Sequence, residues 1–184
     1  MIELSKSPFQ WLQELEQRAK QKAMGLPRQT IVEKIWRGIG FRLQTTYLVT
    51  SIDSIREVLP YDKTSRWARV PGAKPWIKGL TNLRGVLLPV IDLNAFLEGK
   101  PISLEKQIRM LVINQGGFTA GLLVDEVVGM IKHFPENQRD RNTPCKEAWL
   151  AAFADGLFKE DDITWTVFDM QKLANHELFQ NAAL

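Results

Sequence analysis

WIKGLTNLRGVLLPVIDL, Trp76 to Leu93, decides how this chain of 184 residues is read. Trp76 to Leu83 mixes apolar and polar residues, Arg84-Gly85 interrupts, and Val86 to Ile91 then runs apolar without alternation. Glycine reaches the positive φ of a tight turn at no steric cost, so Arg84-Gly85 reads as a turn between two strands. A strand with one wet face alternates in and out; an unbroken apolar run predicts a strand covered on both faces. The run is bounded by Gly85 and Asp92 and interrupted by Pro89, too short and broken for a helix. Proline cannot donate to a ladder, so Pro89 marks an edge, a bulge or a barrel corner. The expectation is a central strand, bent at Pro89 and shared by two layers.

Composition narrows the class. A hydrophobic fraction of 45% against 24% charge is that of a globular chain long enough for a real core. No apolar run approaches the roughly 20 residues that span a bilayer. MIELSKSPFQ lacks the pattern of a signal peptide. The single cysteine, Cys145, excludes an internal disulfide and a thiolate metal cluster, so a cytoplasmic setting is expected. A net charge of +3 is too small to imply nucleic acid by itself. The densest basic stretch, Arg56, Lys63, Arg66, Arg69, Lys74 and Lys78, is interleaved with Glu57 and Asp62 and reads as a solvated loop face. With Tyr61, Trp67 and Trp76 it supports one alternative, a small-barrel nucleic-acid-binding protein.

Along the chain, Ser7, Pro8 and Gln10 start a helix whose stripe is Phe9, Leu12, Leu15 or Glu16, Ala19 and Ala23. Gly25-Leu26-Pro27 ends it, and the stripe is expected to pack on the body of the protein. Short strands follow: Gly38 to Leu43 and Thr46 to Thr50 around Gln44-Thr45, then the apolar positions Ile52, Ile55 and Val58. Tyr61 to Lys74 is a charged loop. Asp92 caps a short helix, Leu93 to Leu97. Arg109 to Asn114 and Phe118 to Val124 flank Gly116-Gly117, a hairpin signal. Val127 to Lys132 is a strand and His133 to Lys146 a polar loop. Trp149 to Phe158 and Ile163 to Phe168 are the last strands, and Asp169 caps a closing helix to about Phe179. The two sets of strands look comparable, with no visible residue-level repeat. Many short strands point to barrels or a sandwich.

No catalytic constellation is present in the sequence. His133 and His176 stand far apart, outside ligand-spaced motifs, and read as surface histidines; no metal or cofactor site is expected. Cys145 has no neighbouring base and reads as an incidental thiol. The glycine loops that cradle phosphates are missing. Asp92 and Asp125 stand at strand ends, where a cap and a turn explain them better than a phosphoacceptor does.

Ile77, Gly79, Asn82, Arg84, Gly85, Pro89, Asp92 and Leu93 match in register the pattern I-x-G-h-x-N-h-R-G-x-h-h-P-h-h-D-L, where h is apolar. This stretch resembles the signature of the CheW-like domain, the adaptor of bacterial chemosensory arrays. The likeness runs from about Ile39 to Phe179, and Gly121 to Asp125 is similar to the family's G-h-h-V-D. The resemblance implies a mainly β fold of two small five-stranded SH3-like barrels packed together, with an N-terminal and a C-terminal helix. On that reading residues 1–37 are an N-terminal helix and linker, 38–179 the CheW-like domain and 180–184 a tail.

It also implies a function without catalysis: coupling a methyl-accepting receptor tip to the regulatory domain of a CheA-like histidine kinase, in arrays recruited to the membrane through those partners. In the family the arginine at Arg84 and the glutamate at Glu57, flanked by Ile55 and Val58, lie on the partner-binding surface. Gly79 and Gly121 fall where backbones pack closely near partners, although a bulge equally explains Gly79. Met110 faces the groove between subdomains by alignment. The N-terminal helix with GLPRQ, WRGIGFRL and VDEVVGMIKHFP is more specifically similar to the branch serving type IV pilus twitching motility.

Overall fold

The computed structural model describes residues 8–22, 34–61, 67–103 and 107–181. The chain forms two units, Met1–Glu33 and Lys34–Leu184. The first contains α1, Pro8–Lys22; its expected cap at Ser7 and stop at Gly25-Leu26-Pro27 lie outside the described residues. Phe9, Leu12 and Leu15 are each more than half exposed.

The second unit runs β1 Ile35–Leu43, β2 Thr46–Ser51, β3 Ile55–Pro60, β4 Ile77–Leu83, β5 Val86–Asp92, α2 Leu93–Glu98, β6 Arg109–Gln115, β7 Phe118–Val124, β8 Glu126–Pro135, β9 Ala154–Glu160, β10 Ile163–Phe168, α3 Met170–Ala174 and α4 Glu177–Gln180. Two five-stranded sheets result, in the orders β8-β1-β2-β10-β9 and β3-β6-β7-β5-β4. This is the mainly β architecture of two packed small barrels. Asp92 and Asp169 cap α2 and α3 as the sequence predicts, each carboxylate accepting backbone N–H bonds from the first helical turn.

Strand alternation divides the interior into three. Val49, Phe134, Phe158, Trp165 and Val167 of the first sheet enclose one cluster. Val90, Leu123, Ile102 and Ile108 form another within the second. The largest joins both sheets and the helices, through Phe41, Leu48 and Phe168 from one side and Ile91, Leu111 and Leu122 from the other. Adjacent residues on one strand thus serve different cores: Val90 points into its own barrel and Ile91 into the joint between barrels.

The shared strand is accordingly found, but not over its whole predicted length. Leu88, Val90 and Ile91 are buried, whereas Val86 is 45% and Leu87 64% exposed. β5 is also one strand in from the sheet edge, between β7 and β4. Its parallel pairing with β7 begins at Val90, so Pro89 sits just before that ladder and deprives it of no donor.

The two halves repeat, residue by residue, where the sequence showed no repeat. By strand pairing, WIKGLTNLRGVLLPVIDLN, Trp76 to Asn94, aligns without a gap with FADGLFKEDDITWTVFDMQ, Phe153 to Gln171. Only Gly79/Gly156, Leu80/Leu157, Val90/Val167 and Asp92/Asp169 are identical, too few to see by eye. The geometry repeats nonetheless. Asp92 N donates to Trp76 O and Asp169 N to Phe153 O, each at 2.8 Å. Val90 pairs in parallel with Gly121, and Val167 with Val49. Leu80 is bridged by Ala68 and Leu157 by Asp140. Even the bulge repeats: β3 slips against β6 between Ile55 and Glu57, and β8 against β1 between Val127 and Gly129.

Three boundaries differ from expectation. β8 continues through His133 and Phe134 to Pro135, because Phe134 fills the first barrel and stacks on Phe158 at 4.5 Å. Trp149 to Phe153 is not strand: Ala148–Leu150 is a 3-10 turn, and β9 starts only at Ala154. The closing helix is broken at Asn175-His176 into α3 and α4, which lets Phe179 reach the rings of Phe96 and Trp76.

Candidate functional site

The β4–β5 hairpin closes on two residues with positive φ, Arg84 at 52° and Gly85 at 87°. That is the primed geometry whose twist matches a two-residue hairpin. Asn82 Oδ1 accepts the Gly85 N–H at 2.8 Å and holds the turn. Arg84 consequently leaves the tip at a fixed angle, 74% exposed, and its Nη2 lies 2.9 Å from Oε2 of Glu57. Glu57 is on β3, the opposite edge of the sheet, and only 17% exposed. The ion pair clasps the two edges of the second barrel. The edges of the first barrel are also bridged, at other positions of the repeat: Lys132 on β8 meets Glu160 on β9 at 2.6 Å, its ammonium 4.8 Å from the centre of the Trp165 ring.

Six of the seven predicted site residues lie on strands of the second sheet, and Arg84 is in the turn between two of them. Arg84 and Glu57 touch; Ile55 and Val58 are half-buried against the joint core, leaving part of each open. Gly79 is a bulge residue at φ 148°, and a Cβ there would stand 2.6 Å from Ala68 O. Gly121 is packed under Met110, where a Cβ would meet the Met110 sulfur at 2.5 Å. Met110 does not face the groove between barrels as expected. Leu111 and Ile113 take the joint core, so alternation sends Met110 to the interior of its own barrel beside Tyr61 and Trp67. Val86 and Leu87, next to Arg84, are the exposed apolar surface that reading the run as doubly covered missed.

Other sequence candidates resolve into structure. Asp125 is buried and accepts the Gln44 N–H, tying the β1–β2 turn to the start of β8. His133 is exposed, but His176 is half-buried against Phe96 and Phe153, not a surface histidine. Burial pushes the Cys145 thiol up from its ordinary value. The hydrogen bond to Glu126 raises Arg42, and the Thr143 hydroxyl holds the Asp140 carboxyl below the usual carboxylate range. The aromatic residues of the nucleic-acid alternative are taken up in packing: Trp76 is buried and stacks on Phe179, and the half-buried Tyr61 packs on Trp67 at 5.4 Å. Among the described residues no helix is long and apolar enough to cross a membrane.

A scaffold with a rigid charged tip and an apolar flank is built for contact, and its relatives agree. The CheW-like domain matches residues 37–178. The chain belongs to the CheW-like family. It is 40% identical over 178 residues to the protein PilI of Pseudomonas aeruginosa, covering 97% of each chain. To the chemotaxis protein CheW of Klebsiella aerogenes it is 34% identical over 124 residues, 67% of this chain and 72% of that one. The crystal structure of the scaffolding protein TtCheW from Thermoanaerobacter tengcongensis superposes with a TM-score of 0.64 at 25% identity, over 78% of this chain and 95% of that one. CheW-like proteins are non-catalytic adaptors that couple chemoreceptors to a CheA-like kinase, and this chain is a chemotaxis-type coupling protein of that kind.

Proposed function

We propose that this CheW-like adaptor links the cytoplasmic tip of a methyl-accepting receptor to the regulatory domain of a CheA-like kinase in a system governing type IV pilus twitching motility. It would do so in the cytoplasm, gathered into membrane-anchored arrays through those partners, with 38–179 as the coupling domain, 1–37 as helix and linker, and 180–184 as a tail. The observation that carries the reading is the Arg84–Glu57 clasp beside exposed Val86 and Leu87. Arg84 offers a partner directed donors and sets orientation and on-rate more than affinity. Ile55 and Val58 add apolar area. Gly79, Gly121 and Met110 act from behind, shaping the strands that carry the contact. Weak contacts to two partners reinforce each other, since holding one raises the effective concentration of the next.

The test is a pull-down of the cognate receptor tip and kinase regulatory domain by the Arg84→Glu variant. Loss of at least one partner is expected. Undiminished capture of both removes Arg84 from the surface.

A further inference from the structure

The segment that leads into β4, Val70-Pro71-Gly72-Ala73-Lys74-Pro75, is rich in small and ring-closed residues that fill little space. The Ala73 N–H donates to Val70 O and curls it into a turn, and a Cβ at Gly72 would meet nothing within 4 Å. A cavity of about 540 Å³ remains beside it, walled by Val70, Leu80, Pro89 and Phe118, with Lys74 and Asn181 completing it. The other half of the internal repeat shows that the fold does not require this space. Leu80 and Pro89 are half-buried, whereas their counterparts Leu157 and Thr166 are buried. Counted back from the aligned pair Trp76 and Phe153, Ala73 stands where the other half has Leu150, which is sunk wholly into the core. Protein interiors are otherwise close-packed, and the volume falls in the range of small-molecule sites, roughly 300–1,000 Å³.

Charge and hydrogen bonding narrow the occupant. Lys78 is paired with Asp92, but neither Lys74 nor Arg69, next to the wall at Val70, has a carboxylate partner among the described residues. The segments around the cavity, 67–92, 118–124 and 177–181, hold two acids: Asp92 inside that ion pair, and Glu177 at the opposite end of α4 from Asn181. Asn181 adds a side-chain amide with no hydrogen-bond partner among the described residues. A strand-forming peptide does not suit, because Ala68 already occupies the β4 edge at Leu80, each N–H donating to the other's carbonyl at 2.9 Å. What remains is an apolar wall with a cationic, amide-bearing rim, which matches an apolar chain ending in a carboxylate.

We propose that this cavity binds a medium-chain fatty acid, its chain against Leu80, Pro89 and Phe118 and its carboxylate at Lys74 and Asn181. A free acid fits and an esterified membrane lipid does not, because the ester lacks the charge that Lys74 would meet. The cavity shares no residue with the Arg84–Glu57 clasp, so it stands whether or not that clasp is the partner surface. The test titrates the full chain with octanoate, butanoate and octanol, followed by calorimetry and by NMR of the methyl groups. Octanoate is expected to saturate one site and to shift the Val70 and Leu80 methyls. Butanoate, with a shorter chain to bury, should bind at least about tenfold more weakly, and octanol, without the charge, at least about fivefold more weakly. Lys74→Ala should bring octanoate down to the affinity of octanol. Ala73→Leu, which gives this half the side chain of the other, should melt as the parent does and lose octanoate; if it fails to fold, Lys74→Ala decides alone. Unmoved Val70 and Leu80 methyls, binding that does not saturate, equal affinities for octanoate and octanol, or undiminished binding by either variant each overturn the proposal. Overhauser contacts from Leu184 to Phe118 that octanoate does not displace would give the cavity to the chain's own tail and overturn it as well.

Discussion

The ammonium of Lys78 lies 3.0 Å from Oδ2 of Asp92, a carboxylate with no exposure at all. The same carboxylate accepts the Ala95 N–H at 3.0 Å and the Ile102 N–H at 2.9 Å. It therefore ends β5, starts α2 and anchors the segment that returns toward β6. Its counterpart Asp169 caps α3 through Gln171 and Lys172 but has no ion pair among the described residues.

That difference sets two unequal costs. Asp169→Ala removes a helix cap, worth about 1 kcal/mol. Asp92→Ala also leaves the half-buried Lys78 ammonium and a second backbone donor, the Ile102 N–H, without their acceptor, raising the loss to roughly 2–3 kcal/mol. Denaturant unfolding of the two variants measures the gap; equal midpoints would refute the anchoring role of Asp92.

The clasp between Arg84 and Glu57 should matter to partners far more than to stability. The arginine is largely in solvent, where such a pair contributes ~1 kcal/mol or less. Arg84→Glu is expected to melt almost as the parent does while losing partner capture. The exchanged pair, Arg84→Glu with Glu57→Arg, should recover the small stability term but not the capture. Recovery of both would mean the clasp serves the fold and not the partner.

Burial along β5 predicts opposite outcomes for two neighbouring substitutions. Val90→Asp places an unpaired carboxylate at a fully buried position and should unfold the protein, at several kcal/mol. Leu87→Asp stands in solvent and should melt within about 0.5 kcal/mol of the parent. A cooperative, parent-like melt for Val90→Asp would deny that β5 is shared between cores.

Gly79 and Gly156 give a matched pair. A Cβ at either would clash with a carbonyl oxygen, that of Ala68 at 2.6 Å and that of Asp140 at 2.7 Å, and both φ angles are positive. Each alanine substitution should cost about 1–3 kcal/mol in thermal or denaturant unfolding. An unchanged melt for one would show that its bridging segment yields and that the halves differ there.

At acid pH the Asp140 loop should loosen. The carboxylate is held low by the Thr143 hydroxyl and by the Asn142 and Thr143 N–H groups. A lowered folded value contributes stability above the unfolded carboxyl value of 3.8, lost as pH falls through the folded one. Asp140→Asn should flatten the melting profile in that acid window; a profile identical to the parent's would assign the acid loss elsewhere.

Local chemistry made much of this molecule legible in its sequence. Glycine pairs and polar doublets placed the hairpins, aspartates placed the caps of α2 and α3, and eight signature residues in register pointed to the family and to Arg84. These signals are short-ranged: each depends on the φ or the hydrogen bonds of residues a few positions apart. Tertiary structure alone decided which face each strand residue serves. Val90 and Ile91 look alike in sequence, yet one fills a barrel and the other the joint between barrels, because the neighbours that cover them come from distant segments. Packing likewise left Leu87 in water, turned Met110 inward, drew Phe134 into a longer β8, and built two matching halves from stretches that share only four residues of nineteen. Folding tests shape and burial, and many side chains satisfy the same shape.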